Sequence, residues 1–475
     1  MTQDPLVIPF DNSYQKLPAR FYSQQAAAPV PAPKLIAFNR PLAAELGITG
    51  GNELELAEVF SGNLTPQGAD PLAQVYAGHQ FGQYNPQLGD GRALLLGETV
   101  GCDQTRADIL LKGSGRTPYS RGGDGRAWLG PVLREYLVSE AMHHMGIPTT
   151  RALAAVETGA PVLRETALPG AVLTRVAASH IRVGTFQFFA AQRDYDALKI
   201  LLDYTIARHY PQADGALGLL QAVIEAQAKL IAQWMGVGFI HGVMNTDNCQ
   251  IAGETIDYGP CAFMDRYHPM QVYSSIDRMG RYAYGNQPNI IVWNMAQLAT
   301  ALVPLMPDTD AAISAFTAAV HAMPEQVEQN RRDVFAAKIG ISAPTGEDDA
   351  LIDDLLALMA DGRADFTNTF RALAAGTARD QFLDPNKYDL WHARWQRRLE
   401  HEPKAESVMA TSNPAIIPRN HRIEEMILAA TNGDYAPFHR LLSAVTAPYN
   451  DAPEFSGLRR PPSTEEEIEA TFCGT

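Results

Sequence analysis

The sequence predicts an α+β protein of two lobes, a strand-containing N-terminal lobe and a mainly helical C-terminal lobe with a helical extension. Three observations carry that prediction. Short apolar runs bounded by glycine, "ALLLGETV" at 93–100 and "ADILLKG" at 107–113, have the length and boundaries of strands. From about residue 195 apolar side chains recur at helical spacing instead. A stretch of polar motif residues, "FIHGVMNTDNCQIAGETIDYG" at 239–259, follows directly on a long amphipathic helix pattern.

In chain order, the Ala/Pro-rich "QQAAAPVPAPK" at 24–34 reads as an extended connector. Residues 72–92 hold four glycines and little apolar periodicity, and read as a structured loop region. The runs at 93–100 and 107–113 form a hairpin with Lys112 at the end of its second strand. Residues 126–145 read as a helix with Pro131 near its start, where proline is tolerated. "AVLTRVA" at 171–177 reads as a further strand. Helices are expected over 196–210, 217–238, 291–305, 309–338, 348–360, 364–375 and 387–400, and in the tail over 421–432 and 436–444. The units expected are 1–180, 181–400 and 401–475.

Composition narrows the function. The 475 residues are 46% hydrophobic and 19% charged, which is ordinary for a packed protein. A net charge of -15 argues against broad nucleic-acid binding, which needs a basic surface. The first basic side chain is Lys16, so the start has no signal-peptide pattern. No apolar run approaches the roughly 20 residues of a membrane span. The expectation is a cytoplasmic protein with no membrane and no nucleic-acid partner. Four scattered cysteines, 102, 249, 261 and 473, make neither a disulfide framework nor a zinc ribbon. Cys473, third from the end, is expected to be accessible and is the candidate redox residue.

"HGVMNTDN" at 241–248 is spaced like the catalytic loop of a protein kinase, His-Arg-Asp, four residues, then Asn. Val243 stands where the catalytic Asp belongs and can accept no proton. "DYG" at 257–259 follows where kinases carry Asp-Phe-Gly. Asn248 and Asp257 are therefore candidate ligands of Mg²⁺, which takes oxygen donors and shares its shell with phosphate and water. Asp247, the only carboxylate inside the loop, is the candidate general base, with turn capping as its plainer role. His241 is expected to be structural. Lys112, at a strand end, can reach nucleotide phosphates, held by Glu135 on the following helix, with Glu140 as the rival partner. "GDGR" at 89–92 and "GSGRTPYSRGGDGRAW" at 113–128 are Gly/Arg-rich turns able to cradle an anion, and Asp124 and Gly125 are expected at the entry to the helix. Arg175 and Arg182 are candidate phosphate contacts. The order of these parts is that of a bilobal, protein-kinase-like fold.

Together "LGDGRA", "ILLKGSGRTPYSRGGDGRA", "LTRVAASHIRVGTFQ", "HGVMNTDN", "TIDYGPCAFMD" and "NPAIIPRNHRIEEMI" resemble the selenoprotein O family across nearly the whole chain. The resemblance implies a kinase-fold protein, of a kind first called pseudokinases, that acts as a protein adenylyltransferase. ATP is expected to lie flipped, so that its α-phosphate faces a Ser, Thr or Tyr hydroxyl of a protein substrate. It implies nucleotide contacts at Gly89, Gly91, Arg92, Lys112, Asp124, Gly125, Arg175, Arg182 and Asp257. Asp247 matches the proton acceptor, and Asn248 and Asp257 match the ligands of Mg²⁺ or Mn²⁺. Use of UTP stays open, as does a disulfide between Cys473 and Cys249 or Cys261. A kinase acting through the γ-phosphate, and a nucleotide-binding scaffold without turnover, are the alternatives.

Overall fold

The computed structural model describes residues 4–472. Its N-terminal part is built on one antiparallel sheet. In spatial order the strands are Tyr22–Gln24, Leu72–Gln74, Ala93–Val100, Arg106–Lys112, Ala167–Ala177, Arg151–Leu163 and Lys34–Phe38, with Ala127–Trp128 pairing beside Ala167–Ala177. The expected hairpin at 93–113 is present, and its register sets Ala93 opposite Lys112. On the other side Leu173 lies opposite Lys112 and Arg175 opposite Leu110. Lys112 therefore leaves the middle of the sheet, and Arg175 projects two residues along the neighbouring strand.

The helix Leu129–His144 packs against the sheet, and Pro131 lies in its first turn. It starts later than the glycine loop predicts. Ala127 and Trp128 first pair with Ala171 and Gly170, and this short strand separates Asp124 and Gly125 from the helix. The helical part begins earlier than expected, with Val183–Ala191, and continues through Tyr195–His209, Gly215–Gly236, Gln287–Leu302, Thr309–Lys338, Asp349–Gly362, Phe366–Ala374 and Pro385–Leu399. Gly215–Gly236 is long and apolar enough to cross a membrane by length and composition, which the sequence reading denied. Here its apolar residues pack against Gln287–Leu302 and Thr309–Lys338 in the main core. That core runs without a break from the sheet into the helices, and a smaller one fills the far side of the sheet.

The segments after Pro385–Leu399 fold back on the sheet-side helix. Asn420–Thr431 and Ala436–Val445 pack against Leu129–His144, where Arg134 pairs with Glu424 and the Tyr136 ring meets Phe438 edge-on at 5.7 Å. Before them, Ala405–Ser412 is a helix the sequence reading missed. It leads to Asn413, whose Oδ1 accepts from Lys338 Nζ at 2.9 Å. The Lys338 ammonium also lies 4.3 Å from the Phe370 ring centre, and among the described residues no carboxylate pairs with it. Burial pushes its pKa down to about 7. The unfolded chain holds that proton up to about pH 10.5, so this residue makes stability rise between those two values. The denaturation midpoint of the wild type is therefore expected to rise relative to that of Lys338→Met from pH 7 to pH 9. Parallel urea titrations at the two pH values check it, and an equal change in the two midpoints would remove the assignment.

Candidate active site

The loop 241–248 is held from beneath. His241 is fully buried and its Nε2 lies 2.8 Å from the carbonyl of Ile256. Its Nδ1 accepts from the Val243 N–H at 3.3 Å. The imidazole thus ties the loop 241–248 to the segment just before Asp257, and burial lowers its pKa, so it stays neutral. Asn248 donates Nδ2–H to the carbonyl of Val243 at 2.9 Å, which fixes the amide and leaves Oδ1 as the atom that could ligate a cation. Asp257 has a φ of 61°, a left-handed conformation that aspartate and asparagine tolerate better than most side chains.

Charge collects around Asp257. Its Oδ1 accepts from Lys112 Nζ at 2.8 Å and from Arg175 Nη2 at 2.6 Å, and Arg182 Nη2 lies 3.8 Å from Oδ2. Glu135 accepts from Lys112 at 2.6 Å through Oε2, and from Arg175 Nε at 2.7 Å through Oε1. Glu140 is not the partner of Lys112. It accepts from Arg151 Nε at 2.8 Å and from Asn39 Nδ2 at 2.8 Å, away from this cluster. Burial alone would raise the pKa of both Glu135 and Asp257. Arg175 and Lys112 reverse this and hold both carboxyls below the usual range. Arg182 completes the set, stacked 4.2 Å over the Tyr76 ring centre and 3.4 Å from Asp90 Oδ1.

These groups line one cavity of about 790 Å³. Gly89, Gly91 and Arg92 form one part of its rim, and Asp124 and Gly125 another. At Gly89, with a φ of 68°, a β-carbon would sit 2.4 Å from the Tyr119 ring, so only glycine fits that turn. Asp124 is held at the rim by Arg164, at 2.8 Å. Asp247 also lines the cavity and is 8% exposed. Its Oδ2 accepts from Gln80 Nε2 at 3.0 Å, while Oδ1 is buried without a partner. Burial pushes its pKa up to about 6.

Every site residue named from sequence except Cys473 thus lines or borders a single cavity. Cys473 lies outside the described residues. The tail before it is anchored: Thr471 donates its N–H to the Tyr273 carbonyl at 2.7 Å and its hydroxyl to the Pro260 carbonyl at 2.6 Å. That brings the chain against the loop carrying Cys261. Cys249 and Cys261 are both buried. Sequence reasoning missed Tyr76, Gln80 and Asp90. Asp90 sits between the two glycines that were singled out, which was a usable signal; Gln80 had none.

Two buried arginines and a partly exposed lysine facing two low-pKa carboxylates, beside a glycine-rich rim, have the chemistry to hold a polyanion together with a divalent cation. Asn248 and Asp257 offer the oxygen donors such a cation takes, with phosphate and water left to complete its shell. The family described as Protein adenylyltransferase SelO matches residues 5–446, and the chain belongs to that family. Among curated relatives, the Ruegeria pomeroyi and Ruegeria sp. (strain TM1040) proteins are 66% and 64% identical over 470 residues, covering 99% of this chain and all of each relative. A Roseobacter denitrificans protein is 63% identical over the same length. All three bear the name Protein nucleotidyltransferase YdiU.

Proposed function

We propose that this protein transfers AMP from ATP to Ser, Thr or Tyr hydroxyls of protein substrates and releases pyrophosphate. It would do so in the cytoplasm, within a two-lobed, protein-kinase-like fold that divides near residue 180 and carries a helical extension from about 401. One observation carries the reading. Val243 occupies the kinase base position with no proton-accepting atom, while Asp247, four residues on, sets a carboxylate on the wall shared with Lys112, Arg175 and Arg182. A base displaced along the loop suits a different phosphorus. Family membership and the names of the relatives support the same reaction class.

In the proposed reaction Asp247 takes the proton of the acceptor hydroxyl, and the hydroxyl oxygen bonds to the α-phosphorus. The bond from that phosphorus to the bridging oxygen breaks, and pyrophosphate departs with the electron pair. Lys112, Arg175 and Arg182 neutralise the charge that gathers on the leaving group. Glu135 keeps Lys112 and Arg175 aimed before the nucleotide arrives. Gly89, Gly91, Arg92, Asp124 and Gly125 form the rim that receives the rest of the nucleotide. Asn248 and Asp257 would hold Mg²⁺ or Mn²⁺, which when bound supplies further charge neutralisation on the phosphates.

The test is label transfer to a generic protein acceptor from ATP labelled at the α- or the γ-phosphate, with UTP labelled at the α-phosphate as a third arm. Label arriving only from the α position is expected. Label arriving from the γ position would make the protein a kinase that tolerates Val243, and this reading would fail. Stronger labelling from UTP than from ATP would replace AMP by UMP and keep the mechanism.

A further inference from the structure

The segment 78–85 was read from sequence as loop. It is a two-stranded hairpin, Gly78–Gln80 with Gln83–Asn85, turned through Phe81 and Gly82 at φ 51° and 82°. Such a pair of positive φ values is the tight turn that suits hairpin twist. The hairpin stands apart from the main sheet and packs on the catalytic loop.

Its contacts with that loop come from three successive residues. The His79 N–H donates to Thr246 Oγ1 at 2.7 Å, Gln80 Nε2 to Asp247 Oδ2 at 3.0 Å, and the Phe81 N–H to Asn245 Oδ1 at 3.1 Å. Gln187 closes the arrangement from the helix Val183–Ala191. It accepts from Thr246 Oγ1 at 2.6 Å, and its Nε2 lies 2.8 Å from His79 Nδ1. Space is as tightly set as polarity. A β-carbon on Gly78 would lie 2.6 Å from Asp247 Oδ1, so only glycine leaves the carboxylate where it is.

We infer that the hairpin 78–85 is a positioning element for Asp247, and that Gln80 is the residue through which it acts, fixing the orientation of the carboxylate by its bond to Oδ2. The inference rests on the reading of Asp247 as base. Gln80 touches no cation of the phosphate clamp, so its loss should bear on turnover and not on nucleotide affinity. A hydrogen bond to a charged group is worth a factor of roughly 10 to 100 in such a step.

The test is a double-mutant cycle on the full chain with Gln80→Met and Asp247→Asn, singly and together, read as kcat for label transfer and as Kd for ATP. Methionine keeps the length of glutamine and deletes the donor. The expected result is a roughly 10- to 100-fold lower kcat for Gln80→Met, an ATP Kd within about twofold of wild type, and no further loss when it is added to Asp247→Asn. Unchanged kcat in Gln80→Met would overturn the inference. So would a loss that multiplies with that of Asp247→Asn, or one matched by weaker ATP binding, because either would mean that the hairpin serves the fold or the nucleotide. Gly78→Ala is the second probe. It should lower kcat with ATP Kd held, and wild-type kcat in that variant would equally count against the inference. If wild-type label comes from the γ-phosphate, the adenylyl reading falls, and the same cycle read on γ transfer still decides on Gln80.

Discussion

Asp257→Asn is expected to lower transfer about 10³-fold while the protein stays folded. Asparagine keeps the shape of the side chain and tolerates the left-handed backbone at φ 61°, so the change removes charge and little else. Alanine would add backbone strain and blur the result. The wild-type carboxylate is shared by Lys112, Arg175 and Arg182. Without it the three cations face Glu135 and Asp90 alone, and the cavity becomes more positive. ATP binding in the presence of EDTA should therefore persist or tighten, while the gain in affinity on adding Mg²⁺ disappears. Calorimetric titration with and without the metal separates the two effects. A variant that still binds ATP more tightly with Mg²⁺ would take Asp257 out of the metal site.

The second large effect is expected at Asp247. Asp247→Ala should cut transfer by about 10²- to 10⁴-fold, the range for losing a general base, with ATP affinity close to wild type. The reason is positional. Asp247 bonds Gln80 and makes no ion pair with Lys112 or Arg175, so the phosphate clamp is left whole. Its carboxylate is also a burial cost, not a support of the fold, so the melting temperature should hold or rise. Single-turnover transfer beside an ATP binding isotherm checks both halves. Near-normal turnover would remove Asp247 as base, and lost ATP binding would place it in the nucleotide site instead.

How much of this was legible beforehand depended on how local the signal was. The helix Thr309–Lys338 matches its expected span because its amphipathic pattern is long and capped by Asp308. The hairpin ending at Lys112 is bounded by glycine, and it too could be read. The strand Arg151–Leu163 could not. "RALAAVETGAPVL" is rich in alanine and holds glycine and proline, and it is a strand because Lys34–Phe38 and Ala167–Ala177 pair on either side of it. Val183–Ala191, short and aromatic, was missed for the complementary reason: packing, not propensity, makes it a helix.

In the candidate site, Lys112, Glu135, Asn248 and Asp257 were readable from spacing. The choice of Glu135 over Glu140 could be posed from sequence, yet it depended on which turn of the helix faces the sheet. Arg151 and Asn39, which claim Glu140, lie outside the helix pattern and gave no warning. The link between Gln80 and Asp247 spans 167 positions along the chain and leaves no trace in any local pattern.

The anchoring of Thr471 to Pro260 has a practical side. Pro260 stands three positions after Asp257, so tension on the chain beyond Thr471 would bear on the segment that carries Asp257. A purification handle or fluorescent reporter placed there would pull on that segment whenever the handle is captured on a resin or surface. Activities measured with such a fusion would then report the handle as well as the enzyme. At the opposite end, Val7 pairs with Thr49, at the far side of the sheet from the cavity, and a handle there would leave the loop undisturbed.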